Sequence, residues 1–318
     1  MNKTRYILTG IFIIVLLLIP QLGLNNYLFH LIAYSLIWVI LTQGLNVIQG
    51  YTGYISIAQA SFFGIGAYSS ALLSTKLDMS VWLSIPVAVV ITTLAGLIIG
   101  YPALKTKGHY FAIVTMSFGM SIWVVMVSWV KLTNGETGMP APAPENLFGI
   151  DFSQRENYFY LIAIGVLISI FIVYRLVNSK SGRALITIKE NEQLAQAVGI
   201  SLIRYKMLAF TVSAMLGGLA GALFAHYIHF INPTSFSIDY SLNTILAVIL
   251  GGSGTIVGPI IGSFIMILLP EYLRAIEELR LVIYGIAIIL FVIFMPRGIA
   301  HLLKNVSNSL IKKITNKK

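Results

Sequence analysis

The chain has 318 residues, of which 57% are hydrophobic and only 10% are Asp, Glu, Lys or Arg, with a mean hydropathy of +0.87. Soluble globular domains carry roughly a quarter charged residues, so composition excludes that class, and the lack of cysteine excludes disulfides, thiolate chemistry and cysteine-ligated metal. The formal charge of +10 falls in short loops and in the tail with Lys304, Lys312, Lys313, Lys317 and Lys318, which suits membrane topology and anionic surfaces and offers no folded basic face for nucleic acid.

In chain order, Lys3 and Arg5 precede an apolar run from Tyr6 to Leu22, read as an uncleaved first span because no small-residue cleavage site follows. No Asp, Glu, Lys or Arg occurs from Tyr6 to Thr75. A second span is expected from Tyr27 to Ile48. Gly50 and Gly53 then bracket a short polar break, and a third span runs to about Ser74 with Ala60, Gly64 and Ala67 on one side, small residues that let helices approach closely. Lys76 and Asp78 mark an outer turn before a fourth span from Val81 to Tyr101. An inner loop with Lys105 and Lys107 leads to a fifth from His109 to Val130. The longest polar segment, 131–156, carries two basic and four acidic residues and is stiffened by Pro140, Pro142 and Pro144, as an outer loop can be. A sixth span is expected from Asn157 to Tyr174.

The stretch Arg175 to Lys206 is the only long charged interruption. It holds six Lys/Arg and two Glu, too many to cross a bilayer core, and its positive excess places it on the cytoplasmic side. Arg183 to Val198 has helical periodicity, with Ala184, Leu185, Ile188, Ala195 and Val198 in one arc and Lys189, Glu190, Gln193 and Gln196 opposite. Gly182 precedes the run, Gly199 is placed to end it, and Glu192, less squarely Asn191, intrudes on the apolar arc. Three readings stay open from these residues: docking against protein, a helix lying on headgroups, or a linker.

A seventh span from Met207 to Phe230 carries Gly217-Gly218-x-x-Gly221, which predicts burial against other helices. From Tyr240 to Pro270 the cluster Gly251, Gly252, Ser253, Gly254 splits an apolar stretch into two pieces, each shorter than the roughly 20 residues a span needs. A helix pair meeting at a glycine turn is expected there, packed in the protein interior beside a route of passage. After an outer hairpin from Glu271 to Arg280, a last span from Leu281 to Met295 brings the total to eight to ten crossings with both termini cytoplasmic. The chain thus reads as one all-α polytopic membrane domain over 1–318, with a cytoplasmic segment at 175–206 and an outer loop at 131–156. Leu45-x-Val47-Ile48-x-Gly50-x-x-Gly53 is echoed by Leu246-x-Val248-Ile249-x-Gly251-x-x-Gly254, a pattern that favours transport if it marks an internal repeat.

No constellation supports enzymatic chemistry. Pro259 follows the glycine cluster where a phosphate-binding loop needs Lys and Ser/Thr. His30, His109, His226, His229 and His301 form no metal motif, and His226 and His229 read as a helix-end pair. The spans hold too few ionisable groups for ion coupling, so work must come from outside the chain, and the amphipathic segment is a credible handle for it. The readings of another class are a stand-alone channel or facilitator for small polar solutes and a scaffold with no permeation path.

Five pieces in order carry a resemblance: LNVIQGYTGYISIAQASFFGIGAY from Leu45, KGHYFAIVTMSFG from Lys107, LTNGETGMP from Leu132, SGRALITIKENEQLAQAVGISLIRYKMLAF from Ser181, and VILGGSGTIVGPIIGSF from Val248. Over nearly its whole length the chain resembles the longer of the two permease types of branched-chain amino acid ABC importers. The resemblance implies half of a translocation pathway for leucine, isoleucine and valine in the cell membrane. It implies a homologous second permease, two cytoplasmic ATPase subunits that hold ATP and Mg2+, and an extracytoplasmic binding protein, with no cofactor bound by this chain. Ser181 to Ile200 looks like the family's coupling segment, so Gly182, Arg183, Glu190 and Glu192 are candidates for ATPase coupling. Gly50, Gly53, Gln59, Gly251, Gly252, Ser253 and Gly254 are candidates for the substrate route. Gln59 stands where relatives commonly have His, which either leaves a helix brace unchanged or alters specificity toward other amino acids, urea or short amides.

Overall fold

The computed structural model describes residues 16–106, 108–147, 149–273, 280–295 and 298–302. The predicted first span falls mostly outside them, as do Lys107, much of the expected hairpin from Glu271 to Arg280, and the basic tail.

The long helices are α1 (Asn26–Thr52), α2 (Gln59–Lys76), α3 (Val81–Ala103), α4 (His109–Ser128) and α5 (Arg155–Val177). Two short helices, α6 (Lys180–Glu190) and α7 (Glu192–Ala197), precede α8 (Leu202–Ile228), the pair α9 (Ile238–Gly251) and α10 (Val257–Tyr272), and α11 (Arg280–Phe294). Five of these, α1, α3, α4, α5 and α8, are long and apolar enough to cross a membrane, which makes this an all-α, multi-pass membrane protein. Among the described residues the strands are limited to one two-residue pair, β1 (Met139–Pro140) with β2 (Phe230–Ile231).

Helix α1 is nearly buried all round, as a helix apolar on every side must be at the centre of a bundle. Asn25 caps its start, its side chain accepting from Tyr27 N, and Gly53 ends it at φ +78°. The second predicted span therefore runs four residues beyond Ile48, and Gly50 lies inside the helix instead of bracketing a break. Helix α8 begins at Leu202, not Met207, so Arg204 and Lys206 belong to its first turns. It packs against α1, α2 and α3. Its glycines permit this: a Cβ on Gly221 would meet the Phe63 carbonyl, and one on Gly218 would meet Thr92. Helices α3 and α4 keep broad apolar faces exposed, including Ile98, Tyr101, Tyr110 and Ile113. Such faces need lipid or another protein.

The predicted helix from Arg183 to Val198 is two helices. Asn191 interrupts it with extended backbone (φ −160°, ψ 111°), and its side chain accepts from Leu194 N at 3.0 Å to cap α7. Asn favours such a cap over a helix interior because its side-chain oxygen satisfies an orphan amide. The run begins at Ser179, which caps Ser181 N and Gly182 N, so Gly182 lies in the first turn rather than ahead of it. Gly199 follows the end at φ +84°, as expected. Because the break redirects α7, Val198 is 73% exposed and leaves the buried arc that Ala184, Leu185, Ile188 and Ala195 do form.

Charge sorts the two ends of the bundle. One end carries Lys105, Arg175, Lys180, Arg183, Lys189, Arg204 and Lys206, and is called the basic end below. At the opposite end the 131–156 loop returns through β1 to the end of α8, with Ala141 N donating to His229 O at 2.9 Å.

Candidate functional site

The glycine-broken stretch is an antiparallel hairpin, α9 against α10, whose turn lies at the basic end beside the last turns of α1. Residues spaced along one face of α1 hold it. Thr42 Oγ1 lies 2.8 Å from Ser263 Oγ, Gln43 Nε2 donates to Ile256 O at 2.7 Å, and Asn46 Nδ2 donates to Thr255 O at 2.8 Å. Gly254 N returns a hydrogen bond to Asn46 Oδ1 at 2.8 Å. Gly50, one turn beyond Asn46, has no side chain, and a Cβ there would meet Asn46 Oδ1 and Gly254 N. The glycines of the internal echo thus face each other. Positive φ at Gly252 (+119°) and Gly254 (+76°) explains why the turn is built from glycine. Among the described residues, the buried acceptors Gln43 Oε1 and Gln49 Oε1 nearby have no hydrogen-bond partner.

Of the candidate route residues, the structure brings Gly50 against the turn at Gly254, while Gly53 ends α1 beside the Lys189 side chain. Gln59 sits apart, fully buried where α1, α2 and α8 meet. Its Nε2 donates to Leu41 O at 3.0 Å and its Oε1 accepts from Ser213 Oγ at 2.9 Å. One amide thereby ties three helices, with each half used in its proper sense.

Of the candidate coupling residues, Arg183 and Glu190 are exposed. Gly182 is buried, and a Cβ there would run into the Leu176 and Val177 carbonyls, so α6 turns tightly off the end of α5. Glu192 is half-buried and pairs with Lys206 at 2.6 Å. Lys206 is 3% exposed, donates to Tyr54 Oη at 2.6 Å and lies 4.0 Å from the Tyr54 ring centroid. Burial, and then the Glu192 carboxylate, push the Tyr54 phenol well above its ordinary range, so it stays a neutral acceptor for the ammonium. This ion pair binds the α6–α7 segment to α8 and to the link between α1 and α2. Sequence reading treated Lys206 as part of the solvated stretch. The missed signal is its register: it stands three, four and seven residues before Ala209, Phe210 and Ser213, all on the buried face of α8.

Lys189 falls opposite the apolar arc, yet its Nζ donates to Gly50 O at 2.7 Å. The outward face of the segment carries Ile186, Leu194 and Val198, with Leu194 63% exposed.

At the opposite end, His226 Nε2 lies 2.8 Å from Ser70 Oγ and Nδ1 lies 2.7 Å from Pro142 O. Both ring nitrogens are occupied by neutral partners, and among the described residues no group of three or more His, Cys, Asp or Glu could hold a metal. An open cavity of about 330 Å³ there, lined by Asn26, Tyr27, His30 and Arg155, lies at the starts of α1 and α5, remote from the glycine turn.

The chain is similar to the high-affinity branched-chain amino acid transport system permease protein LivM of Salmonella typhimurium, 32% identical over 288 residues that cover 83% of this chain and 68% of the relative. It is equally similar, by identity and coverage, to LivM of Escherichia coli K12. LivH of Salmonella typhimurium is 26% identical over 288 residues, 82% of this chain and 90% of the relative. No solved structure matches the chain. The family described as the permease component of the branched-chain amino acid transport system matches residues 27–292. The chain belongs to that family of permease components.

Proposed function

We propose that this chain is the membrane permease component of an ABC importer, forming half of a pathway for leucine, isoleucine and valine. Family membership implies an ABC transporter complex with a second permease, ATPase subunits and a binding protein. In this reading the second permease is homologous, two ATPases bind on the cytoplasmic side, and the basic end is cytoplasmic, in keeping with its excess of Lys and Arg. Both termini are cytoplasmic, and eight spans plus the α9–α10 pair make up the domain, 1–318.

One observation carries the reading. The α6–α7 segment is fastened to the bundle on one face while presenting Ile186, Leu194 and Val198 on the other, flanked by Arg183 and Glu190. A segment tied down by a buried ion pair does not need exposed leucine and valine for its own packing. An apolar, helical protrusion with charged flanks suits a groove in a partner protein. Of the four coupling candidates, Arg183 and Glu190 face the ATPase, whereas Gly182 and Glu192 hold the segment to the permease. ATP-driven closure of the ATPase pair moves the segment, and the ion pair passes the movement to α8. The permease interface then opens outward to accept substrate from the binding protein, and hydrolysis resets it. Such coupling requires a free-energy link between nucleotide and substrate sites.

The substrate route runs beside Gly50, Gly53 and the turn at Gly251, Gly252, Ser253 and Gly254, where backbone and unpaired amide oxygens supply polar groups in an apolar surround. Gln59 acts as a helix brace rather than a route residue, which fits its burial and its hydrogen bonds across three helices.

Reconstitution tests this. The complex with ATPases and binding protein should accumulate branched-chain amino acids only with ATP, and the chain alone should pass none. Flux through the chain alone would identify a channel instead.

A further inference from the structure

The α6–α7 segment reaches the bundle through apolar packing at Leu185 and Ile188, through Glu192 and Lys206, and through Lys189. The last contact differs in kind. Lys189 lies on the exposed side of α6, yet its ammonium donates to Gly50 O at 2.7 Å. That carbonyl is in the last turn of α1, where intrahelical partners run out and the helix dipole is negative, so a cation is favoured there. The same ammonium lies 3.6 Å from where a Cβ on Gly254 would stand.

From Gly50 the contacts continue inward. Gly254 N donates to Asn46 Oδ1, Asn46 Nδ2 donates to Thr255 O, and Gln43 Nε2 donates to Ile256 O, at 2.8, 2.8 and 2.7 Å. A connected path therefore leads from the segment to the turn between α9 and α10 without passing through α5 or α8. The turn can respond, because Gly252 and Gly254 occupy backbone regions that neighbour other glycine conformations of similar energy.

We propose that Lys189 is a positioning residue that transmits movement of the α6–α7 segment directly to the α9–α10 turn. Withdrawing the ammonium leaves Gly50 O without its donor and removes the cation beside Gly254, so the turn shifts with the segment rather than after a tilt of the long helices. The proposal rests on the docking reading above and names the element of the bundle that moves first.

The test uses the whole importer in lipid, with Lys189→Met and Lys189→Arg. The readouts are uptake per ATP hydrolysed and hydrogen exchange of peptides covering 183–198 and 251–258, with and without trapped nucleotide. In the wild type both peptides should change on nucleotide binding. In Lys189→Met the first should still change, the second should not, and uptake per ATP should fall about five-fold or more, the lower end of ordinary coupling factors. Lys189→Arg should restore most of the ratio, because a guanidinium can still donate to Gly50 O. A turn that keeps its nucleotide response in Lys189→Met, or an unchanged ratio, overturns the proposal. So does failure of Lys189→Met to assemble while Lys189→Arg assembles without restored coupling, which marks a structural role. If 183–198 shows no nucleotide response even in the wild type, the docking reading fails and takes this proposal with it.

Discussion

The two ends of the bundle hold their peripheral segments in opposite ways. At the basic end, the α6–α7 segment hangs on one buried ion pair, one lysine-to-carbonyl bond and a small apolar face. At the other end, the 131–156 loop is pinned at many points, by neutral hydrogen bonds from β1 to β2, between Ala141 and His229 and between His226 and Pro142, and by charged ones from Lys76 to the carbonyls of Lys131 and Leu132 and from Ser80 and Val81 to Glu145. Few, charged, flexible tethers suit a part that has to move. Many short bonds, each making its own geometric demand, suit a surface that must keep its shape. Under the proposed coupling, the difference marks the basic end as the one that is driven.

Lys206→Met should break the contrast most strongly. It leaves Glu192 half-buried without its cation, and removing one member of a buried pair costs about 3–5 kcal/mol. The α6–α7 segment should become protease-sensitive while the outer loop remains protected. Adding Glu192→Gln should recover part of the loss, since no uncompensated charge then remains. Asn46→Ala comes next. It strands Gly254 N and Thr255 O, for a loss of about 2 kcal/mol, read as a lower thermal midpoint and faster hydrogen exchange in the turn. His226→Ala should cost about 1–2 kcal/mol, by orphaning Pro142 O and leaving Ser70 Oγ with Ser84 Oγ alone as a side-chain partner. Here proteolysis should appear in the outer loop and not in α6–α7, the mirror image of Lys206→Met.

The smallest effect is a pH dependence at the outer loop. Glu145 accepts from Ser80 Oγ at 2.8 Å and from Val81 N at 3.2 Å, at the start of α3. Burial opposes its ionisation, but hydrogen bonds from backbone, Ser80 and Val81, with the charge of His226, hold its carboxyl below the ordinary value. The sign follows: the native state favours the carboxylate, so this contribution is complete above the ordinary carboxylate range and is lost as pH falls through the lowered value. Loop exchange should rise over that acid window in the wild type and show no such step in Glu145→Gln.

Much of the architecture was legible because lipid imposes long apolar runs and glycine breaks them visibly. The α9–α10 pair, the burial of the α8 glycines and the end of α7 at Gly199 all follow from residues within a few positions of one another. What escaped depends on partners far apart in sequence. Lys206 looks solvated until Glu192 and Tyr54 fold over it, and Gln59 shows its bracing role only once Leu41 and Ser213 stand beside it. The break at Asn191 was a local signal outweighed by the apolar wheel: an Asn followed by Glu192 in a first turn is a cap signature, and periodicity alone cannot register it.

The most direct measurement is photo-crosslinking from Leu194, replaced by a photoreactive amino acid, in the intact importer in its membrane. If this permease is driven through α6–α7, the adduct runs at the combined mass of this chain and an ATPase subunit, and its yield changes with nucleotide. Adducts to lipid alone, in every nucleotide state, would contradict the account.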